Sequence, residues 1–269
     1  MRSPLDLSGT TSVVLDVDGT IAGPDHLISP RTRAAMRGLD QRGVPVVLAT
    51  GRARDNVLDI ARQIGLRSPA VSCNGAVVTE PHSGRDLRVR PMARDDVAAM
   101  VRVHEQTGAP LTWYTPHGIF ATSAELREFL LAMGDPNVFV ADAPTSLPDD
   151  VVKMMVYGTP GEMDAVEPVV HRHAPRATRS LDELWEISDP DATKWSGISF
   201  VFALLGVDPA GAVGLGDGEN DVVWMERIGT PVAMGNARPE ARAAARAVAG
   251  HHAEEGAAVF LEEVLRQLG

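Results

Sequence analysis

Residues 13–23 read VVLDVDGTIAG, and the rest of the chain is read from this stretch. The run SVVLDV is rich in β-branched residues and apolar on both faces, the pattern of a strand buried inside a parallel sheet. It ends in two aspartates, Asp16 and Asp18, followed at once by Gly19 and Thr20. Carboxylates that close repel each other, and a simple polar turn would need only one. Either a cation lies between them or one carboxyl holds a proton for chemistry. An EF-hand calcium loop needs Gly at its sixth position, whereas here Gly is the fourth.

Outward from this strand the chain keeps a regular rhythm. SPRTRAAMRGLDQRG carries the punctuation of a helix: Ser29 as N-cap, Pro30 at the first position and Gly43 as the stop. VPVVLATG reads as a second buried strand, RARDNVLDIARQIG as a helix stopped by Gly65, and PAVSC as a third strand. This alternation predicts an α/β core, a doubly wound and mostly parallel sheet with helices on both faces. Beyond residue 81 the strands become mixed, as in LTWYT, GIFAT and VVKMMVYG, with helices expected at Asp95–Gln106, Ser123–Ala132 and Glu162–His173. After ISDPDATK the first rhythm returns: helix WSGISFVFALLG, strand AVGLG, helix ENDVVWMERIG, strand TPVAM, then helices to the end. The expected organisation is a core of residues 1–81 and 189–269, split by an inserted α+β domain at 82–188.

Composition narrows the function classes. With 36 acidic against 25 basic residues, the formal charge of −11 argues against nucleic acid or an anionic membrane as the main partner. It leaves room for an anionic substrate at a locally positive site. The longest apolar runs, such as FVFALLGV, fall far short of a membrane span, and MRSPLDLSGTTS has no signal-peptide core. The single cysteine, Cys73, excludes an intrachain disulfide framework and fits a cytoplasmic protein, with Cys73 expected as a buried strand residue. Only two lysines occur, Lys153 and Lys194.

Ligands of open parallel sheets sit beyond the carboxyl ends of the strands, so polar groups there are the candidates. Asp16, Val17 and Asp18 close the first strand, and Thr50 and Gly51 close the second, offering a hydroxyl and a closely approachable amide. Lys194 opens a helix, where its charge opposes the macrodipole, so an anion partner explains it better than helix stability. GLGDGEND, Gly214–Asp221, resembles a dinucleotide fingerprint, but Glu219 stands where the third glycine belongs. It offers instead Asp217, Asn220 and Asp221, oxygen donors suited to a hard divalent cation. Together these groups describe a site for Mg²⁺ and a phosphoryl group. Mg²⁺ would keep Asp16 ionised as a nucleophile, while Asp18 would hold a proton as general acid.

In this order, D-x-D-G-T, T-G-R, a helix-initial Lys and G-D-x-x-N-D resemble the haloacid dehalogenase (HAD) superfamily. The insertion between the second and third motifs resembles the type II cap of its Cof-type subfamily IIB (type C2B). SCNGAVV, WEISDPDATK, PVAMGNA and EEGAAVFLEEVL add to the likeness, which runs from Val13 to about Leu265. The resemblance implies a HAD-type Rossmann-like core and a Mg²⁺-dependent phosphatase for a small phosphate monoester, such as a sugar phosphate. It implies Asp16 as nucleophile and Asp18 as acid and base. It implies metal ligation by Asp16, Asp18 through its carbonyl, and Asp217, with Asp221 a further or outer ligand. The phosphate is then cradled by the Val17 amide, Thr50, Gly51, Lys194 and Asn220. A cap closing over the leaving group favours a small-molecule partner, with the enzyme a monomer or homodimer. The alternatives are a sugar phosphomutase or, from another class, a non-catalytic ligand-binding module. One departure is Trp195, where the family usually has Gly directly after the lysine; it is open to shaping the leaving-group pocket or to packing. Trp113, Tyr114 and His117 form an aromatic cluster expected to pack the cap sheet. His104-Glu105 lacks the second His of a zinc motif, and His251-His252 receives no role.

Overall fold

The computed structural model describes residues 5–132, 134–144 and 148–269. The chain begins with β1 (Ser12–Leu15), α1 (Pro30–Gln41), β2 (Val46–Leu48), α2 (Arg54–Ile64), β3 (Ala70–Ser72), β4 (Val77–Thr79) and β5 (Asp86–Val89). It continues through α3 (Arg94–Thr107), β6 (Leu111–Thr115), β7 (Gly118–Ala121), α4 (Ala124–Ala132), β8 (Val138–Val140), β9 (Lys153–Tyr157), α5 (Pro160–His173), β10 (Thr178–Leu181) and β11 (Leu184–Ser188). Last come α6 (Lys194–Leu205), β12 (Ala212–Gly216), α7 (Glu219–Met225), β13 (Thr230–Ala233), α8 (Pro239–Ala244), β14 (Ala247–Val248) and α9 (Gly256–Leu268). The fold divides into two compact units. One comprises the residues up to Arg52, Val57–Leu87 and Thr193–Gly269; the other comprises Ala53–Asn56 and Arg88–Ala192.

The first unit is built on a five-stranded parallel sheet in the order β14-β13-β12-β1-β2. Its central strands are apolar on both faces because both are covered: Val13, Val14, Leu15, Val47 and Leu215 are all fully buried. Each such side chain contributes about 1.5–3 kcal/mol of transfer free energy. The capping signals at Ser29 and Pro30 operate as expected, since the Ser29 hydroxyl accepts the Thr32 N–H at the start of α1. Register fixes the site. Leu15 lies beside both Leu48 and Leu215, so the residues that follow all three strands emerge at one edge. From β1 the chain steps to β2 on one side, while β12 and β13 extend the sheet on the other. The crevice of a doubly wound sheet therefore opens at the end of β1.

The second unit carries a six-stranded sheet, β10-β11-β9-β6-β7-β8, antiparallel except for the β7–β8 pair. Helices α3 and α5 cover one face, burying Val97, Met100, Met163 and Val170 against Trp113, Met154 and Trp185. The aromatic cluster packs this sheet: Trp113 stacks on Phe120 at 5.4 Å, and the buried Tyr114 donates its hydroxyl to Asp135. His117 is exposed in the turn between β6 and β7.

Two local expectations change. The Ala/Arg-rich tail does not stay helical after α8, because Ala247 and Val248 pair with Val232 and Ala233 as β14. An open parallel edge beside β13 outweighs alanine's helix preference, as tertiary context often does. Cys73 is buried but lies outside β3, in a turn where Cys73 and Asn74 have φ of 47° and 53°. The Cys73 and Asn74 N–H groups donate to the carbonyls of Arg52 and Thr50, so the turn is folded onto the end of β2.

Candidate active site

The carboxyl edge of the core sheet gathers three acidic side chains and one lysine. Asp16 leaves β1 and Asp217 leaves β12, while Asp221 and Lys194 lie in the first turns of α7 and α6. Lys194 is 1% exposed, and its Nζ lies 2.8 Å from Asp16 Oδ1 and 2.7 Å from Asp221 Oδ1. A lysine at a helix start is thus explained by two buried carboxylates. Asp221 is fully committed. Its Oδ1 accepts from Lys194 and from Trp224 Nε1 (2.9 Å), and its Oδ2 from the amides of Asp217 (3.0 Å) and Gly218 (2.9 Å). A carboxylate has about four lone-pair sites, and here four donors fill them.

Asp217 is held differently, by side chains that leave it room. Thr20 Oγ1 donates to its Oδ1 at 3.3 Å and Asn236 Nδ2 to its Oδ2 at 3.2 Å. The turn Val17–Ile21 reaches it through Gly19, whose φ of +68° suits glycine. A Cβ on Gly19 would lie 2.3 Å from Asp217 Oδ2, so the turn and the carboxylate share this space only because the side chain is absent.

Asp18 points away from this cluster, with its side chain half exposed. Arg52 grips it as a fork, Nε to Oδ2 at 2.9 Å and Nη2 to Oδ1 at 2.6 Å, and His26 Nδ1 lies 3.7 Å away. Thr50 is buried, and its hydroxyl accepts the Arg52 N–H at 3.2 Å. Asn220 Nδ2 donates to Asn74 Oδ1 at 3.0 Å, and that same oxygen lies where a Cβ on Gly51 would approach to 3.2 Å. Thr50, Gly51, Asn74 and Asn220 thus line one side of the edge. Val17 is fully buried behind Asp16.

Electrostatics follow from burial. Burial, then the nearby Asp221 charge, pushes the Asp16 carboxyl well above the usual range, with Lys194 pulling the other way. Asp217 is raised by the same two causes. Burial alone would lower Lys194, but Asp16 and Asp221 outweigh it and hold the ammonium above its ordinary value. Burial would raise Asp18, but the Arg52 hydrogen bonds and charge win, with His26 adding to them, and keep it below. Asp18 is expected from the sequence to hold a proton, whereas the Arg52 fork favours its carboxylate form. Asp16, Asp217 and Asp221 each offer an oxygen within 4.8 Å of the others. Asp16 and Asp217 keep lone pairs that Asp221 does not, and both are raised by burial and the Asp221 charge, a donor set that fits a hard divalent cation.

The profile of haloacid dehalogenase-like hydrolases matches residues 13–261. The chain belongs to this family. Among its relatives is a phosphoglycolate phosphatase of Natronomonas pharaonis, 29% identical over 260 residues, covering 94% of this chain and 96% of that protein. The fold is also that of a haloacid dehalogenase-like hydrolase from Bacteroides thetaiotaomicron, with a TM-score of 0.85, 21% identity, and coverage of 95% and 99% of the two chains. A sugar phosphatase of HAD subclass IIB superposes with a TM-score of 0.78 at 22% identity, covering 94% of this chain and 98% of that one.

Several residues at this edge give little signal in the sequence. Arg52, Asn74 and Asn236 lie inside the quoted TGR, SCNGAVV and PVAMGNA segments, and polarity next to glycine was their only signal. Trp195 packs on the core's apolar cluster, edge-on to Phe202 with ring centroids 6.5 Å apart. Gly197 serves close packing: its Cβ would sit 2.4 Å from Val71 Cγ1, so α6 can lie against β3 only without it. His252 has a structural bond, its Nδ1 lying 3.0 Å from the Ala22 carbonyl. His104 Nδ1 caps its own helix end at the Ala109 carbonyl, 2.8 Å away. Among the described residues no helix is long and apolar enough to cross a membrane.

Proposed function

We propose that this HAD phosphatase hydrolyses a small phosphate monoester, such as a sugar phosphate, through an aspartyl-phosphate on Asp16 with Mg²⁺ as cofactor. The observation that carries this reading is the buried Lys194 ammonium between Asp16 and Asp221, with Asp217 alongside. A plain binding site has no use for a nucleophile-grade carboxylate held against a lysine. Asp16, Asp217 and the Asp18 carbonyl would hold the cation, which supplies charge neutralisation for the phosphoryl oxygens. Asp221, with every lone pair engaged, fixes Lys194 and the loop that carries Asp217.

An oxygen of Asp16 attacks phosphorus, and the bond to the ester oxygen breaks as the new one forms. Asp18 gives its proton to the leaving alcohol, which requires it first to leave Arg52 and become protonated. Water then attacks phosphorus, Asp18 takes its proton, and phosphate departs from a regenerated Asp16. Lys194, Thr50, the Gly51 and Val17 amides and Asn220 receive the phosphoryl oxygens, because this chemistry depends on positioning and charge. A small ester is supported by the relatives, one named for phosphoglycolate and one structural neighbour for sugar phosphates.

The test is phosphate release from a panel of sugar and other small phosphates, with Mg²⁺ and with EDTA, by wild type and Asp16→Asn. Turnover that needs Mg²⁺ and falls to background in the variant is expected. Turnover surviving in Asp16→Asn refutes the nucleophile, and an isomeric sugar phosphate in place of free phosphate identifies a mutase.

A further inference from the structure

Asn236, in the loop after β13, is joined to three separate segments of the core unit. Its Nδ2 donates to the Gly19 carbonyl at 2.8 Å and to Asp217 Oδ2 at 3.2 Å, and its Oδ1 accepts the His252 N–H at 3.1 Å. Both amide protons and the carbonyl are therefore used. The flipped orientation would set an oxygen against two acceptors and an NH₂ against an N–H, so this hydrogen-bond pattern fixes the side chain. One amide thus ties the turn after β1, the loop after β12 and the loop before α9. That last loop is itself pinned to the first turn by His252 Nδ1 and the Ala22 carbonyl.

We infer that Asn236 is a positioning residue for the divalent cation: it holds the Asp217 carboxylate in the rotamer that meets the ion, and ties it to the turn that begins at Asp16. This rests on the metal reading given above. With Thr20 on Oδ1 and Asn236 on Oδ2, each Asp217 oxygen has one donor and keeps lone pairs for a ligand, unlike the saturated Asp221. Groups that orient metal ligands in this way typically account for about 10–100-fold in metal affinity.

The experiment measures Mn²⁺ binding to the apo protein by electron paramagnetic resonance, with thermal melting in EDTA beside it. It uses wild type, Asp217→Asn, Asn236→Ala and Asn236→Leu. The last keeps the shape but has no donor and adds no charge, and it is read in the same way if the alanine variant fails to fold. A Mn²⁺ dissociation constant raised about 10-fold or more in the Asn236 variants, with the melting temperature in EDTA near wild type, is the expected result. A constant within twofold of wild type, while Asp217→Asn abolishes binding, overturns this inference and leaves the metal site standing. A lowered melting temperature with unchanged Mn²⁺ affinity assigns Asn236 a merely structural role and overturns it too. Wild-type binding that Asp217→Asn does not affect overturns both the metal reading and this inference.

Discussion

Replacing Lys194 by Met keeps the aliphatic stem and removes the ammonium that Asp16 and Asp221 share. The lysine side chain is 1% exposed, Asp221 0% and Asp16 7%, so bulk solvent screens this group little. Two carboxylates that were both in contact with one cation then face each other in a buried site. Removing one partner of a buried ion pair typically costs about 3–5 kcal/mol. The protein can avoid part of that cost by binding a proton on the carboxylate pair, which fixes the sign of the pH dependence. A carboxyl whose folded pKa is raised above its unfolded value binds more protons when folded, so its stability is lost as pH rises through the folded pKa. Each extra proton makes the deficit against wild type grow by about 1.4 kcal/mol per pH unit. The deficit should therefore grow as pH rises, toward about 3–5 kcal/mol once the pair is ionised. Urea unfolding of wild type and variant in EDTA at pH 5, 6.5 and 8 measures it, as a midpoint lowered by roughly 1–2 M at pH 8 if m is near 3 kcal/mol/M. A deficit below about 1 kcal/mol at pH 8, or one that does not change with pH, would refute the claim that these carboxylates rely on Lys194.

Three further outcomes are expected. Gly197→Ala should destabilise the protein by about 1–3 kcal/mol, since its Cβ would come 2.4 Å from Val71; an unchanged midpoint in urea would show that α6 shifts freely off β3. Arg52→Ala should move the Asp18 titration upward, followed by carboxyl carbon NMR, because the fork that lowers it is gone; an unmoved titration would deny the fork any hold on Asp18. The Ser83 hydroxyl, then the Ser83 and His82 amides at 2.7 and 2.9 Å, should hold Glu80 near 2 rather than at its ordinary 4.5. Its small contribution is present above about pH 4.5 and fades as pH falls toward 2, and a normal NMR titration would show the turn open in solution.

The sequence by itself determined the core's strands and where the candidate site residues fall. Fully apolar strands ending abruptly in Asp16, Thr50 and Asp217 are legible because a parallel sheet buries both faces and exposes polar groups only at its carboxyl edge. Capping at Ser29 was equally readable, being local. What tertiary structure alone decided is how those groups divide their work. Asp217 and Asp221 are four residues apart and alike in sequence, yet one keeps free lone pairs while four donors from α6, α7 and the backbone fill the other. Asp18 pairs with an arginine 34 residues away, and Asn236 reaches Gly19 across 217. Likewise, β14 forms within an alanine-rich tail because β13 leaves an edge for it. A hydrogen bond depends on where two atoms meet, and only the packed sheet brings these atoms together.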